Sequence, residues 1–567
     1  MSSSKTIRFA LLLLVVTWLA AAWWAHREFL PYDVNNTDIG TWLFQAQTFA
    51  DGKIWRPTPE PREFFQQWQA IVRERSYAYY PPGHALFLAA ALVVGLDPWI
   101  IPWLLSSFSL ALVYIWSRRL VNPQAAMVAV CVMALAPFFA ANAPSLLSHS
   151  TALFLTLLFL CAVVRWQQEG NILFALGSGM LLAAVFATRS ANAAALGMVW
   201  IPWVVWTRKS HWRKDLRSWG AFIFGVLGVF VPLMLYHHAL AGRWTLDLFT
   251  DYWPRNRFGF GRDLGRGEPG HYFQTYTDHD LSGMLANLRY SFSSLAEWWT
   301  GNQWVSFLLL TLLLLLIRFS VARREAIPNS QFLILNFLPL AIWPLVHIVL
   351  HALYFTQSTP FSGPRYLAEI MPALALANGW MLIRLHTFPF GKWFSVLLMI
   401  GMVSCSVYFK NDFYLKNARG AVARRQVERC VIEEVKTPAL VFIRSFWLGH
   451  PYPVFLNRPG LSDPILYACD RGAEDRRLVA LHAHRDAYIL AVTQVSRSAV
   501  RTELIPIYET DSRRWLIAPE SVSAPFFVGS KFTPSIRLDG KNAQHLFFPK
   551  SEEIENQQVE PAVTKRR

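Results

Sequence analysis

Eleven runs of apolar residues, each near the length needed to cross a bilayer, constrain this chain more than any other feature. They fall at about 8–25, 98–117, 124–142, 148–165, 171–187, 191–207, 219–239, 303–317, 331–354, 366–383 and 393–409. A spanning helix needs about 20 apolar residues, fewer where flanking aromatics or Arg snorkel to the interface. Of the 567 residues 54% are apolar and 16% charged, against about 25% charged in a soluble chain. An ordinary soluble enzyme is excluded. So are a disordered chain and a disulfide-stapled one, since 5 Cys in this length staple little. The expected class is an α-helical polytopic membrane protein with about eleven transmembrane helices.

The positive charges support that arrangement, because cytoplasmic loops collect Lys and Arg. Lys5 and Arg8, Arg118 and Arg119, Arg165, the group Arg208, Lys209, Arg213, Lys214 and Arg217, then Arg318, Arg323 and Arg324, and finally Arg384 and Lys392 all fall on one side. The N-terminus is therefore expected in the cytoplasm and the C-terminus outside. Trp23 and Trp24 stand where a signal peptide would have a small-residue cleavage site, so 8–25 reads as an uncleaved first helix. The stretch 81–96 is too short to span and reads as an interfacial helix. A net charge of +16 is explained by membrane topology, and no nucleic-acid-binding motif accompanies it.

The expected organisation is a transmembrane module at 1–409 with outer loops at 26–97 and 240–302. An extracytoplasmic domain follows at 410–549, then a polar tail at 550–567. In 410–549 short apolar runs alternate with Gly, Pro, Asn and Asp, the punctuation of a small α/β or mostly β domain. Cys430 and Cys469 both fall there, where an oxidising compartment would permit a disulfide.

Chemistry-bearing residues collect on the outer side. Asp33 and Asp38 follow the first helix directly; a carboxylate there can take a proton from an incoming hydroxyl or amine, or hold a metal, and Asp38 can equally cap a helix. Tyr79-Tyr80-Pro81-Pro82-Gly83-His84 makes a stiff turn carrying a candidate phenol and imidazole. Pro364-Arg365-Tyr366-Leu367-Ala368-Glu369 spaces Arg365 and Glu369 for an i, i+4 pair, though Arg365 could instead grip a phosphate. Arg189 sits in Ala-Thr-Arg-Ser with no acidic neighbour in sequence. Arg255 and Arg257 lie in an aromatic loop suited to sugar stacking, phosphate contact or interfacial anchoring. No nucleotide, zinc-protease, thiol-redox or serine-hydrolase motif is present.

This order of parts resembles the GT-C superfamily of membrane glycosyltransferases: a first helix, an acidic loop with a Gln-Ala segment, Tyr-Pro-Pro-Gly, then many helices. It is similar more narrowly to the family 39 protein mannosyltransferases and the lipid A aminoarabinose transferase and its bacterial relatives. Gly363-Pro-Arg-Tyr-Leu-Ala-Glu-Ile-Met-Pro372 and, in the tail, Asn457-Arg-Pro-Gly-Leu-Ser-Asp463 and Tyr467-Ala-Cys-Asp-Arg-Gly472 carry the same likeness. The resemblance implies inverting transfer of a sugar from a polyprenyl-phosphate donor to an envelope acceptor outside a bacterial inner membrane. It maps Asp38 onto the family's catalytic carboxylate, with Asp33 in reserve. Arg189, Arg365, Arg255, Arg257, His84, Tyr80, Tyr366 and Glu369 are the candidates for the donor phosphate and substrate. The family often has Asp-Glu where this chain has Asp38-Ile39, and a divalent metal stays open. A flippase of lipid-linked sugars and a non-catalytic envelope scaffold are the alternatives.

Overall fold

The computed structural model describes residues 2–29, 37–65, 70–142, 145–208, 215–266, 275–322, 330–355, 363–445, 457, 460–496, 499–507, 509–510 and 514–515. Asp33 lies outside them. In chain order the helices are α1 (Ser2–Phe29), α2 (Thr37–Ala50), α3 (Gly83–Val93), α4 (Ile100–Leu120), α5 (Pro123–Leu135), α6 (Pro137–Asn142), α7 (His149–Glu169), α8 (Ile172–Phe186) and α9 (Ser190–Arg208). Then come α10 (Leu216–Ala241), α11 (Leu248–Tyr252), α12 (Leu281–Thr300), α13 (Gln303–Ala322), α14 (Ser330–Ala352), α15 (Met371–Leu385), α16 (Gly391–Glu434) and α17 (Asp475–Leu481).

Local sequence sets many of these boundaries. Gly170, at φ 66°, closes α7 in the left-handed conformation that glycine adopts without strain, and the Asn171 side chain at once caps α8 by accepting from Leu173 N–H. Asn122 caps α5 in the same way with Pro123 at the first helical position.

All eleven apolar segments are helical. Six described helices are long and apolar enough to cross a membrane, and a seventh span arises if α12 and α13, which meet at a 96° bend, count as one. The expectation of eleven crossings is therefore not carried by the structure. Pro137 breaks 124–142 into α5 and α6. Helix α8 has 15 residues, about 22 Å at 1.5 Å per residue, short of the bilayer's ~30 Å core. Helix α12 went unrecognised inside the expected loop 240–302; it is amphipathic, with Trp298 and Trp299 buried and Leu281, Leu285 and Phe292 exposed.

The bundle's core holds the fully buried indoles of Trp116, Trp166, Trp200 and Trp343. Where α8 crosses α10, two glycines let the backbones touch: a Cβ on Gly179 would stand 2.0 Å from the Phe222 carbonyl oxygen, and one on Gly225 2.2 Å from that of Leu176. With apolar lipid outside, helices gain their attraction from such close packing.

Between α2 and α3 the chain forms a small antiparallel sheet of β1 (Arg56–Pro57), β2 (Ala70–Val72) and β3 (Arg75–Ala78), in the order β1-β3-β2. Strands β4 (Gly261–Arg266) and β5 (Thr275–His279) make a hairpin before α12.

Helix α16 runs unbroken for 44 residues through the expected boundary at 409/410. A four-stranded sheet follows, built from β6 (Ala439–Ser445), β7 (Ile465–Cys469), β8 (Asp486–Ser496) and β9 (Ala499–Ile507) in the order β7-β6-β8-β9. Strand β6 is parallel to both neighbours, and β9 is antiparallel to β8.

Alternation along β6 sends side chains to opposite faces. Val441 and Ile443 pack on Cys430, Val431 and Val435 at the end of α16. Leu440 and Phe442 pack, with Leu478 of α17, on Phe64 and Phe65 from the 3₁₀ turn Arg62–Phe64. One face of the C-terminal sheet is thus covered by residues of the first loop, and Glu63 accepts a 3.0 Å hydrogen bond from Arg477 there. Cys430 and Cys469 are both buried.

Candidate active site

Asp38 lies in the first turn of α2, where the positive end of the helix dipole favours a carboxylate. Asp38, Trp42 and Gln45 follow at i, i+4 and i+7 and so share one face of the helix. That face meets the turn before α3. The Tyr80 hydroxyl donates to Asp38 Oδ1 at 2.5 Å, the Tyr80 ring stacks on Trp42 at 4.5 Å, and Gln45 Nε2 donates to the Tyr80 carbonyl at 3.1 Å. Three side chains of α2 therefore fix the residue whose phenol holds the carboxylate.

The other oxygen of Asp38 faces the opposite end of the sequence. Arg365 Nη2 is 3.4 Å from Asp38 Oδ2. Residues Arg365–Ile370 form a 3₁₀-helix, whose three residues per turn put i and i+4 on different faces. The expected pairing of Arg365 with Glu369 is therefore replaced: Arg365 turns to Asp38, and Glu369 Oε1 lies 3.7 Å from Arg189 Nε. Arg189, without an acidic neighbour in sequence, has one in space. Tyr366 stands between the two cations, its ring centroid 5.4 Å from the Arg189 guanidinium and 5.5 Å from that of Arg365.

Arg365 is buried, yet its Nε and Nη1 make no hydrogen bond to protein. Ser148 accepts from Arg189 Nη1 at 3.3 Å. His347 Nε2–H donates to the Tyr366 carbonyl at 2.8 Å and lies 3.9 Å from Glu369 Oε2. The result is a half-buried carboxylate beside a guanidinium with unspent donors, underlain by a second ion pair whose carboxylate is fully buried and whose guanidinium is partly exposed.

His84 plays a different part. It is completely buried, its Nε2–H donating to the Leu146 carbonyl at 2.7 Å and its Nδ1 accepting from the Thr151 hydroxyl at 2.8 Å, so neither ring nitrogen is left for a ligand. Burial pushes its pKa down to about 4. It locks α3, read as interfacial, onto α7. Arg255 and Arg257 are exposed on the segment before β4, whose Asn256 is anchored by a 2.6 Å hydrogen bond from Tyr354.

Among the described residues the donor set does not suit a divalent metal. Asp38 already faces a guanidinium and a phenol, and no three His, Cys, Asp or Glu side chains converge among the described residues. Hard cations take several oxygen ligands.

With this geometry in view, the likenesses to known proteins are as follows. No curated protein sequence matches the chain. Residues 439–539 match a family described as a domain of unknown function (DUF7846). The crystal structure of ArnT from Cupriavidus metallidurans bound to undecaprenyl phosphate superposes with a TM-score of 0.52 at 14% identity, covering 87% of this chain and 97% of that one. The chain shares the fold of that structure. Archaeal oligosaccharyltransferase AglB from Archaeoglobus fulgidus, in complex with an inhibitory peptide and dolichol-phosphate, is matched at 12% identity and a TM-score of 0.43, over 86% of this chain and 69% of that one.

The apolar helices and this fold together make the chain a multi-pass membrane protein. Within this fold, sequence reasoning missed Trp42, Gln45, Ser148 and His347. The i, i+4, i+7 spacing on α2 was a usable signal for the first two. Nothing local marks Ser148 or His347, which reach the site only by helix packing.

Proposed function

We propose that this protein is an inverting glycosyltransferase that moves a sugar from a polyprenyl-phosphate donor to an acceptor on the outer face of a bacterial inner membrane. The single observation that carries the reading is the approach of Arg365 to Asp38, which puts a candidate base and a phosphate-binding cation side by side. Asp38 takes the proton from the acceptor nucleophile, and Tyr80 holds the carboxylate in place. Arg365, with two unspent donor nitrogens, grips the donor phosphate and stabilises the charge that grows on it as the glycosidic bond breaks. Arg189 adds positive charge across the Tyr366 ring.

The ArnT structure to which this fold is similar holds undecaprenyl phosphate, which supports a lipid-phosphate donor here. In this reading the N-terminus is cytoplasmic, and the C-terminal sheet and the loops 26–97 and 240–302 are periplasmic. Asp33 remains the reserve base, and Arg255 and Arg257 are candidates for the acceptor or sugar.

The test is sugar transfer from radiolabelled polyprenyl-phosphate sugars to envelope acceptors, in membranes carrying the wild-type chain or Asp38→Asn at matched levels. Loss of a general base lowers the rate about 10²–10⁴-fold. Equal transfer by both chains would remove Asp38 from the mechanism, and no transfer by the wild type with any donor would favour the flippase or scaffold.

A further inference from the structure

Glu369 is the least satisfied charged group near the site. Its side chain is 0% exposed, and its oxygens have the Asn192 amide as their one polar hydrogen-bonding side chain among the described residues. Arg189 at 3.7 Å, His347 at 3.9 Å and the amide of Asn192 face it. Around it, α14 brings His347 and His351, α7 brings His149 with Ser148, and its own 3₁₀ turn brings Arg365 and Tyr366. Helix α6 has no titratable side chain, and the one charge of α15, Arg384, lies at its far end. Asp38 closes the set from α2 through Arg365.

Before substrate arrives, two guanidiniums balance two carboxylates. A phosphate diester adds one negative charge to that balance, and a phosphate monoester, the form a lipid carrier takes after losing its sugar, adds nearly two. In a buried site the excess is costly, and the least expensive correction is to neutralise the carboxylate with the poorest solvation. Asp38 has a 2.5 Å hydrogen bond from Tyr80 and is 18% exposed at its side chain, whereas Glu369 is wholly buried and faces only the neutral amide of Asn192 besides the more distant Arg189 and His347.

We propose that Glu369 is a proton-coupled counter-charge: ionised beside Arg189 in the empty site, it takes one proton from solvent when a phosphate monoester binds at Arg365 and Arg189. The inference rests on the lipid-phosphate reading above. Its consequence is that carrier release is tied to loss of that proton, so carrier affinity falls with rising pH more steeply than the phosphate's own titration requires.

Calorimetric titration of the full chain in detergent with undecaprenyl phosphate, in two buffers of different ionisation enthalpy near pH 7.5, counts the protons taken up. The wild type is expected to take up up to one proton more per bound lipid than Glu369→Gln, with the Gln variant still binding. Glu369→Asp should restore the uptake and His347→Gln should keep it. Equal uptake by wild type and Glu369→Gln, with both binding, overturns this inference alone, as does loss of the extra proton in His347→Gln but not in Glu369→Gln. Absence of binding by the wild type overturns the lipid-phosphate reading and this inference with it. A Gln variant that does not fold leaves the Asp and His347 variants to decide: uptake lost in Glu369→Asp or in His347→Gln counts against the inference.

Discussion

Arg365 Nη2 stands 3.4 Å from Asp38 Oδ2, although one residue follows the first helix and the other opens the last third of the chain. The contact is partly exposed, with side-chain exposures of 11% and 18%, so a phosphate can compete for the guanidinium while the carboxylate keeps its hydrogen bond from Tyr80.

That hydrogen bond predicts the behaviour of Tyr80→Phe. A hydrogen bond to a charged group is worth about 1.5–3 kcal/mol, so transfer should fall roughly 10- to 100-fold, mainly in kcat. The ring still stacks on Trp42, so the thermal midpoint should hardly move. A full-rate Tyr80→Phe enzyme would show that Asp38 needs no such support.

Phe64 ties the first loop to the C-terminal sheet. It is fully buried against Phe442, Leu440 and Leu466, and truncating a buried Phe costs about 3–5 kcal/mol. Phe64→Ala should expose both the 3₁₀ turn and α17 to proteolysis while the helical bundle stays intact. Unchanged cleavage kinetics would mean the sheet holds its place without that side chain.

At the α8–α10 crossing, Gly179→Ala and Gly225→Ala should each lower stability in detergent by about 1–3 kcal/mol, the usual cost of overpacking. The two should not add, because they act on one interface. Gly220→Ala, on α10 with nothing within 4 Å of the added carbon, should be neutral or stabilising by about 0.5–1 kcal/mol. Melting curves of the wild type, the three single variants and the Gly179→Ala, Gly225→Ala double variant decide this.

His84 predicts a pH effect on stability. Its native pKa is about 4 against an ordinary value of 6.5, so between those values the unfolded chain binds a proton that the native one refuses. Its contribution is intact above pH 6.5 and declines as pH falls, by about 1.4 kcal/mol per unit at most. The midpoint of His84→Gln should therefore fall less steeply than the wild type's between pH 6.5 and 4. Parallel curves would contradict the assignment.

Much of this architecture was legible in the chain. Apolar length marked the bundle helices other than α12, Gly170-Asn171 and Asn122-Pro123 marked where helices stop and start, and punctuation in the tail announced strands. Asp38 and Arg365 stood out as charges beside apolar runs. The pairing was not legible: the i, i+4 rule joined Arg365 to Glu369, because a 3₁₀ turn cannot be told from an α-turn by spacing alone. Whether a helix crosses was equally hidden where Pro137 or a 15-residue length intervened.

The sequence by itself determined a helical membrane protein with its chemistry gathered on loops, because hydrophobic length and charge placement are local properties that the bilayer reads residue by residue. Only the tertiary structure decided that Asp38 meets Arg365, that Arg189 meets Glu369, and that Phe64 belongs to the core of a sheet formed hundreds of residues later. Those contacts depend on how helices cross and which turns tighten, and packing sets both through backbone approach distances that no single segment encodes.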